Sequence, residues 1–222
     1  SLKEFGILYD EVPLKDGRVD FDVAKEKITT KTKMVVIQRS CGYMMRPSLS
    51  VDEIGEICKF VKEINPNCIC YVDNCYGEFT DTKEPIEVGA DIIAGSLIKN
   101  PGGGIAPTGG YIVGRKDLVE LASYRMTSPG MGAELGASLA NNRLLFQGLF
   151  LAPHVVAQAV KSAIFAAAFF DLLGFKTLPA PDTKRNDIIQ AIEMGSKEKL
   201  VAFCQGIQKY SPVDSYAAPE PW

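Results

Sequence analysis

Three short apolar runs, each breaking off at polar residues, do most to limit what this chain can fold into. They are MVVIQRS at 34–40, CICYVD at 68–73 and DIIAGS at 91–96. Each is too short for a typical helix and apolar enough for a strand buried on both faces. Between the first two lies SLSVDEIGEICKFVKEINP. There Ser50 is placed as an N-cap, with Glu53 as its capping-box partner. Ile54, Ile57, Cys58, Val61 and Ile64 recur at helical spacing, and Pro66 ends the run. GGYIVG at 109–114 reads as a further strand and KDLVELASYRM after it as a helix. Strands alternating with helices predict an α/β fold of parallel βαβ units covered on both faces.

The second half reads differently. From about Ala133 to Leu173 it is almost entirely helical, with a break expected near Pro153. The run VVAQAVKSAIFAAAFFDLL at 155–173 approaches the length of a membrane span, but Gln158, Lys161 and Asp171 interrupt it. A buried helix is expected there, with no membrane as partner. FKTLP at 175–179 is strand-like; a polar loop and the helix-like SKEKLVAFCQGIQKY follow. The composition shift near Gly174 divides the chain into 1–174 and 175–222.

A net charge of −3 gives no reason to expect nucleic acid. The six cysteines lack C-x-x-C pairs, so free thiols in the core of a protein from a reducing compartment are expected, without disulfide or metal. His154, the single histidine, reads as structural or surface.

Ligands of open α/β sheets sit beyond the carboxyl ends of the strands. That rule points to the residues after Ile37, Val72 and Ala94. The second run ends in YVDNCYGEF, which sets Asp73 at a strand end and Tyr76 three residues on. A carboxylate there needs a partner, such as a protonated aromatic nitrogen; alone it reads more readily as a turn or cap aspartate. The third run ends in AGSLIKNPGGG, with Ser96 and Lys99 spaced S-x-x-K. Serine acylation uses that spacing together with S-D-N and K-T-G, and neither tripeptide occurs. A Schiff-base lysine beside a phosphate-binding serine also fits it. Gly102, Gly103 and Gly104 would let backbone approach a ligand or take positive φ, but they lack P-loop spacing. An acid at one strand end and Ser-x-x-Lys at the next suit pyridoxal phosphate, whose ring nitrogen needs a carboxylate. The apolar run before Lys99 is expected to desolvate it and lower its pKa.

On the motifs VIQRSCGYMMRPSLS, YVDNCYGEF, GSLIKNPGGGIAPTGGYIVGR and SPGMGAELGAS, most of residues 30–180 resembles the fold type I pyridoxal phosphate enzymes. More narrowly, the chain resembles the methionine gamma-lyase-like group also labelled cystathionine beta-lyase or aluminium resistance protein. The resemblance implies that 1–174 is the C-terminal part of the large cofactor-binding domain, a mainly parallel sheet with helices on both faces. Residues 175–222 would begin a truncated small domain, and the chain would be a fragment of a longer protein. It implies that Lys99 carries the imine and takes the substrate's Cα proton, that Asp73 pairs with the pyridinium nitrogen, and that Tyr76 lies near the phenolic oxygen. Ser96 would bind phosphate. Gln38, Arg39 and Ser40 would sit beside cofactor or substrate, and Arg39 or Arg46 would clamp the substrate carboxylate, each arginine reading equally as a surface ion pair. Cys41 stands where the family commonly has a basic residue. The implied activity is a cytoplasmic, homo-oligomeric (dimer or tetramer) carbon–sulfur lyase acting on a cystathionine- or methionine-like amino acid by imine formation, Cα deprotonation and thiol loss. An aminotransferase or aldolase, or a non-catalytic module binding cofactor or partner, stays open beside it.

Overall fold

The computed structural model describes residues 2–128, 130–136 and 140–220. Pro129, Ala137 and Ser138 of the SPGMGAELGAS motif lie outside them, as does Leu139 of the expected helical stretch. After a 3-10 turn at Leu2–Phe5 comes a small hairpin of β1 (Leu14–Lys15) and β2 (Arg18–Val19), turned at Asp16 and Gly17, both at positive φ. α1 (Phe21–Lys27) follows, capped by Asp20, whose carboxylate accepts from the Asp22 and Val23 N–H groups. The sequence reading contained neither the hairpin nor this helix.

The three apolar runs form strands, as expected. β3 (Met34–Gln38) and β4 (Ile69–Asp73) are joined through α2 (Val51–Ile64), and β5 (Ile92–Ser96) lies on the far side of β4. All pair in parallel, with Gln38 opposite Asp73 and Asp73 opposite Ala94. The capping box at α2 forms: Ser50 Oγ accepts from Glu53 N–H at 3.1 Å and the Glu53 carboxylate from Ser50 N–H at 2.8 Å. Ile54, Ile57, Cys58 and Val61 share one face of α2 and bury against Ile37, Cys70, Val72 and Ile93 of the sheet, with Ala24 of α1 beside them. Burying one such aliphatic side chain contributes about 1.5–3 kcal/mol. Ile54 is wholly buried, so Ile54→Ala is expected to cost about 2–5 kcal/mol in urea unfolding.

Two expectations are corrected here. β6 (Gly110–Gly114) joins the sheet antiparallel to β5, Ser96 opposite Gly110. The link from 97 to 109 contains no crossover helix and folds straight back, with Leu97 N–H donating to Gly109 O at 2.9 Å, so a parallel return is not available to it. The face away from α2 is only partly covered: Val36 on the edge strand β3 is 58% exposed, whereas Ile92, in register on the same face, is 8% exposed.

α3 (Lys116–Met126) follows β6 as expected, and α4 (Asn142–Leu172) comes next. α4 runs unbroken through Pro153, against expectation; Ala152 and Val156 on either side are both buried, so packing holds the turn that the proline weakens. It is also not a buried helix. Phe146, Phe150, Phe165 and Leu172 are exposed, and by length and composition it could cross a membrane. Its apolar residues run all round, so one neighbour cannot cover them. His154 lies exposed on it.

Residues 1–163 with 184–189 form one compact unit, and 164–183 with 190–222 another. The second contains β7 (Lys176–Leu178), β8 (Ala191–Glu193) and α5 (Lys197–Tyr210). β8 pairs antiparallel with β7, where the sequence reading had only a polar loop. Phe170, Phe175 and Phe203 pack edge to face around it.

Candidate active site

The three parallel strands end side by side, and their next residues form the site. At the β3 end, Arg39 N–H donates to Asp73 O at 3.1 Å, which extends the ladder one residue. Its side chain is fully buried. Nη1 donates to Asn74 Oδ1 at 2.8 Å and Glu84 Oε2 at 3.3 Å, and Nη2 to Thr80 Oγ1 at 3.3 Å. Arg46 donates to the carbonyls of Gln38, Ser40 and Pro47, which pins the turn after β3. Burial lowers the pKa of both guanidiniums, with nearby acids opposing it at Arg39. The sequence offered both to a substrate carboxylate; here their donors grip the protein's own carbonyls and side chains. Ser40 Oγ accepts from Gly42 N–H at 3.3 Å.

At the β4 end, Asp73 Oδ1 accepts from Cys75 N–H at 3.1 Å. Tyr76 takes the left-handed conformation, φ +72°, uncommon for a residue with a side chain. The chain after β5 brings Lys99 back to it: Lys99 Nζ lies 4.0 Å from the Tyr76 ring centroid, in cation–π contact. Lys99 N–H donates to Ser96 O at 3.2 Å, so the Ser-x-x-Lys spacing forms a turn. Lys99, Tyr76, Cys75 and Asp73 thus form one cluster.

The Lys99 pKa is raised, contrary to expectation. Burial pulls it down, but the Tyr76 phenol and Cys75 thiol more than offset that. The apolar side chains of β5 face the core, and the lysine lies past the strand end, only half-buried. Burial, then the bond to Asp73, pushes the Cys75 thiol up. Cys75 read as a core residue; it belongs to the site. Cys58, Cys68 and Cys70 are in the core, and Cys204 is exposed.

The glycine loop has a structural use. A Cβ on Gly102 would lie 1.7 Å from Leu97 O, and one on Gly103 2.3 Å from Gly148 O. The loop crosses α4 backbone to backbone at Gly148.

Beneath the cluster lies a buried polar network. Asn74 Nδ2 donates to Glu84 Oε2 at 3.0 Å and to Tyr111 OH at 3.2 Å, and Tyr111 OH donates to Glu78 Oε1 at 2.7 Å. Burial pushes the Glu78 carboxyl up to about 7, although the Tyr111 hydrogen bond favours ionisation. The folded state therefore keeps a proton that the unfolded chain releases near 4.5. This group favours folding below that pH, and its contribution is lost as pH rises to about 7, by about 3 kcal/mol. Glu78→Gln is expected to flatten stability against pH across that interval and to gain on the parent above it, read by urea unfolding at several pH values.

A family model described as methionine gamma-lyase matches residues 1–222. The chain belongs to the methionine gamma-lyase family. It is 55% identical over its whole length to the uncharacterized protein YnbB of Bacillus subtilis (strain 168) and spans 53% of that protein. The structure of a carbon-sulfur lyase involved in aluminum resistance from Clostridium novyi NT superposes at TM-score 0.93 with 52% identity, covering 100% of this chain and 53% of the other. L-methionine gamma-lyase of Treponema denticola is 26% identical over 136 residues, 61% of this chain and 32% of that enzyme. This methionine gamma-lyase family chain thus spans about half the length of YnbB and of the Clostridium novyi enzyme.

Proposed function

We propose that this chain is the lysine-bearing part of a fold type I, pyridoxal phosphate-dependent carbon–sulfur lyase. The observation that carries the reading is Lys99 Nζ resting 4.0 Å over the Tyr76 ring, with Asp73 on the neighbouring strand end. The residues fit that cofactor: a primary amine, a carboxylate and the Ser96 and Ser40 hydroxyls lie at adjoining strand ends. They match an aldehyde, a ring nitrogen and a phosphate. When bound, the cofactor supplies an electron sink for the carbanion left at Cα.

Lys99 is the attachment point and afterwards the base for the Cα proton. Its Nζ must first lose the proton that Tyr76 and Cys75 help it hold. Asp73 would hold the ring-nitrogen proton, and Tyr76 would lie near the phenolic oxygen. Arg39 and Arg46 serve by fixing the turns after β4 and β3. A sulfur amino acid is the substrate by likeness to the named relatives, and a cytoplasmic homo-oligomer belongs to the same proposal.

The test is borohydride reduction of the intact protein supplied with pyridoxal phosphate, then mass mapping. A phosphopyridoxyl mass on Lys99 is expected, and a folded protein with no adduct overturns the reading. Release of keto acid, ammonia and thiol is expected from a sulfur amino acid; pyridoxamine formation instead identifies a transaminase.

A further inference from the structure

Asn100 follows Lys99 directly, and its side chain is 4% exposed. Nδ2 donates to the Tyr76 carbonyl at 3.0 Å and to the Glu78 carbonyl at 3.0 Å. Both amide hydrogens are thereby used, and both acceptors lie on the loop that carries Tyr76. Oδ1 is buried with no hydrogen-bond partner. The reverse amide orientation would aim Oδ1 at two carbonyls, so the donor role is fixed by its surroundings. The Tyr76 carbonyl also accepts from Ile188 N–H at 3.1 Å. Tyr76 has positive φ, a conformation that persists in a residue with a side chain only where its surroundings enforce it. Two donors converge on the carbonyl of that residue, and one belongs to the neighbour of the lysine its ring supports.

We propose that Asn100 is a positioning residue for Lys99: by gripping the Tyr76 and Glu78 carbonyls, its carboxamide holds the Tyr76 ring beneath the lysine ammonium. The inference rests on the reading of Lys99 given above. It makes the loop after β4 and the loop after β5 one piece, so that Lys99 and Asp73 keep a fixed separation whether or not a ligand is present. The groups facing the Lys99 amine are the Tyr76 phenol and the Cys75 thiol, with Asp73 and Glu78 acting on Cys75 behind them.

The test uses the intact, cofactor-free protein. Acetylation of Lys99 is followed against pH by mass mapping in the parent, Asn100→Leu and Asn100→Ala. Asn100→Leu keeps the approximate size, loses both donors and adds no charge beside the lysine. The midpoint is expected to fall in both variants by about half a pH unit, roughly threefold more free amine below the midpoint, as loss of one cation–π contact requires. Tyr111→Phe, which removes a hydrogen bond from the adjoining network, is expected to lower the melting temperature and leave the midpoint where it is. A folded Asn100→Leu with an unmoved midpoint overturns the proposal. Should both Asn100 variants fail to fold, Tyr76→Leu carries the test, since its midpoint must fall by the same amount and an unmoved one overturns the proposal. Borohydride trapping on the parent separates the two claims. An adduct with an unmoved midpoint overturns the clamp and leaves the cofactor reading. A moved midpoint without an adduct supports the clamp and overturns the cofactor reading.

Discussion

Lys99→Ala in the intact protein is expected to abolish the borohydride-trapped adduct and to slow thiol release by about 10⁴-fold or more, since on the proposed reading attachment and proton abstraction are lost together. The fold should survive, because the side chain is half-buried and its exposed-type cation–π contact is worth only about 0.5–1 kcal/mol. Lys99→Arg sharpens the result. It keeps the positive charge over Tyr76 but cannot supply a free amine near neutral pH. Both variants should therefore be equally inactive, and added ethylamine should partly restore the alanine variant alone. An active Lys99→Arg enzyme would show that the charge at this position, rather than the amine, does the chemistry.

The second large effect concerns stability. A Cβ at Gly148 would lie 2.2 Å from Gly102 O and 2.8 Å from its carbonyl carbon, both backbone atoms. Gly148→Val is expected to cost about 3 kcal/mol or more, at the upper end for overpacking, because neither the helix nor the loop can yield by turning a side chain. Gly206→Ala is the matched control. It lies within α5 with nothing near its Cβ, so it is expected to gain up to about 1 kcal/mol. Urea midpoints read both. Gly148→Val should also weaken trapping at Lys99, because the same crossing positions the loop that follows the lysine. Normal stability in the valine variant would show that α4 and the loop do not touch as described.

These results bear on what the sequence could reveal. β3, β4, β5 and α2 were legible because each depends on its own residues: a short apolar run, or a 3-4 spacing opened by Ser50 and closed before Pro66. The direction of β6 was not, because direction is decided by the path of 97–109 and not by the composition of GGYIVG. β8 is three residues within polar sequence, and α1 buries only Ala24, so neither carries a period long enough to read. In the site, Asp73, Tyr76 and Lys99 could be placed together because parallel strands align their carboxyl ends. Cys75 was taken for a core residue on its apolar neighbours. Asn100 was given no role; a carboxamide beside a strand-end lysine was the signal available. The glycines at 102–104 drew attention to a ligand, when the partner of Gly102 and Gly103 was Gly148. An isolated glycine inside the apolar helix sequence LLFQGLFLA was the clue, since such a residue commonly marks a close backbone approach.

The surface of α4 has a consequence for handling. Only 17% of its most apolar 18-residue stretch is buried, and Phe146, Phe150 and Phe165 are largely exposed. Exposed apolar side chains of that kind favour self-association and bind environment-sensitive dyes. Expressed as these 222 residues alone, the chain should enhance anilinonaphthalene sulfonate fluorescence even when fully folded, and its light scattering should rise with concentration and with ammonium sulfate. Dye-based melting curves on it would therefore begin from a high baseline, which makes circular dichroism the sounder readout for every stability comparison above.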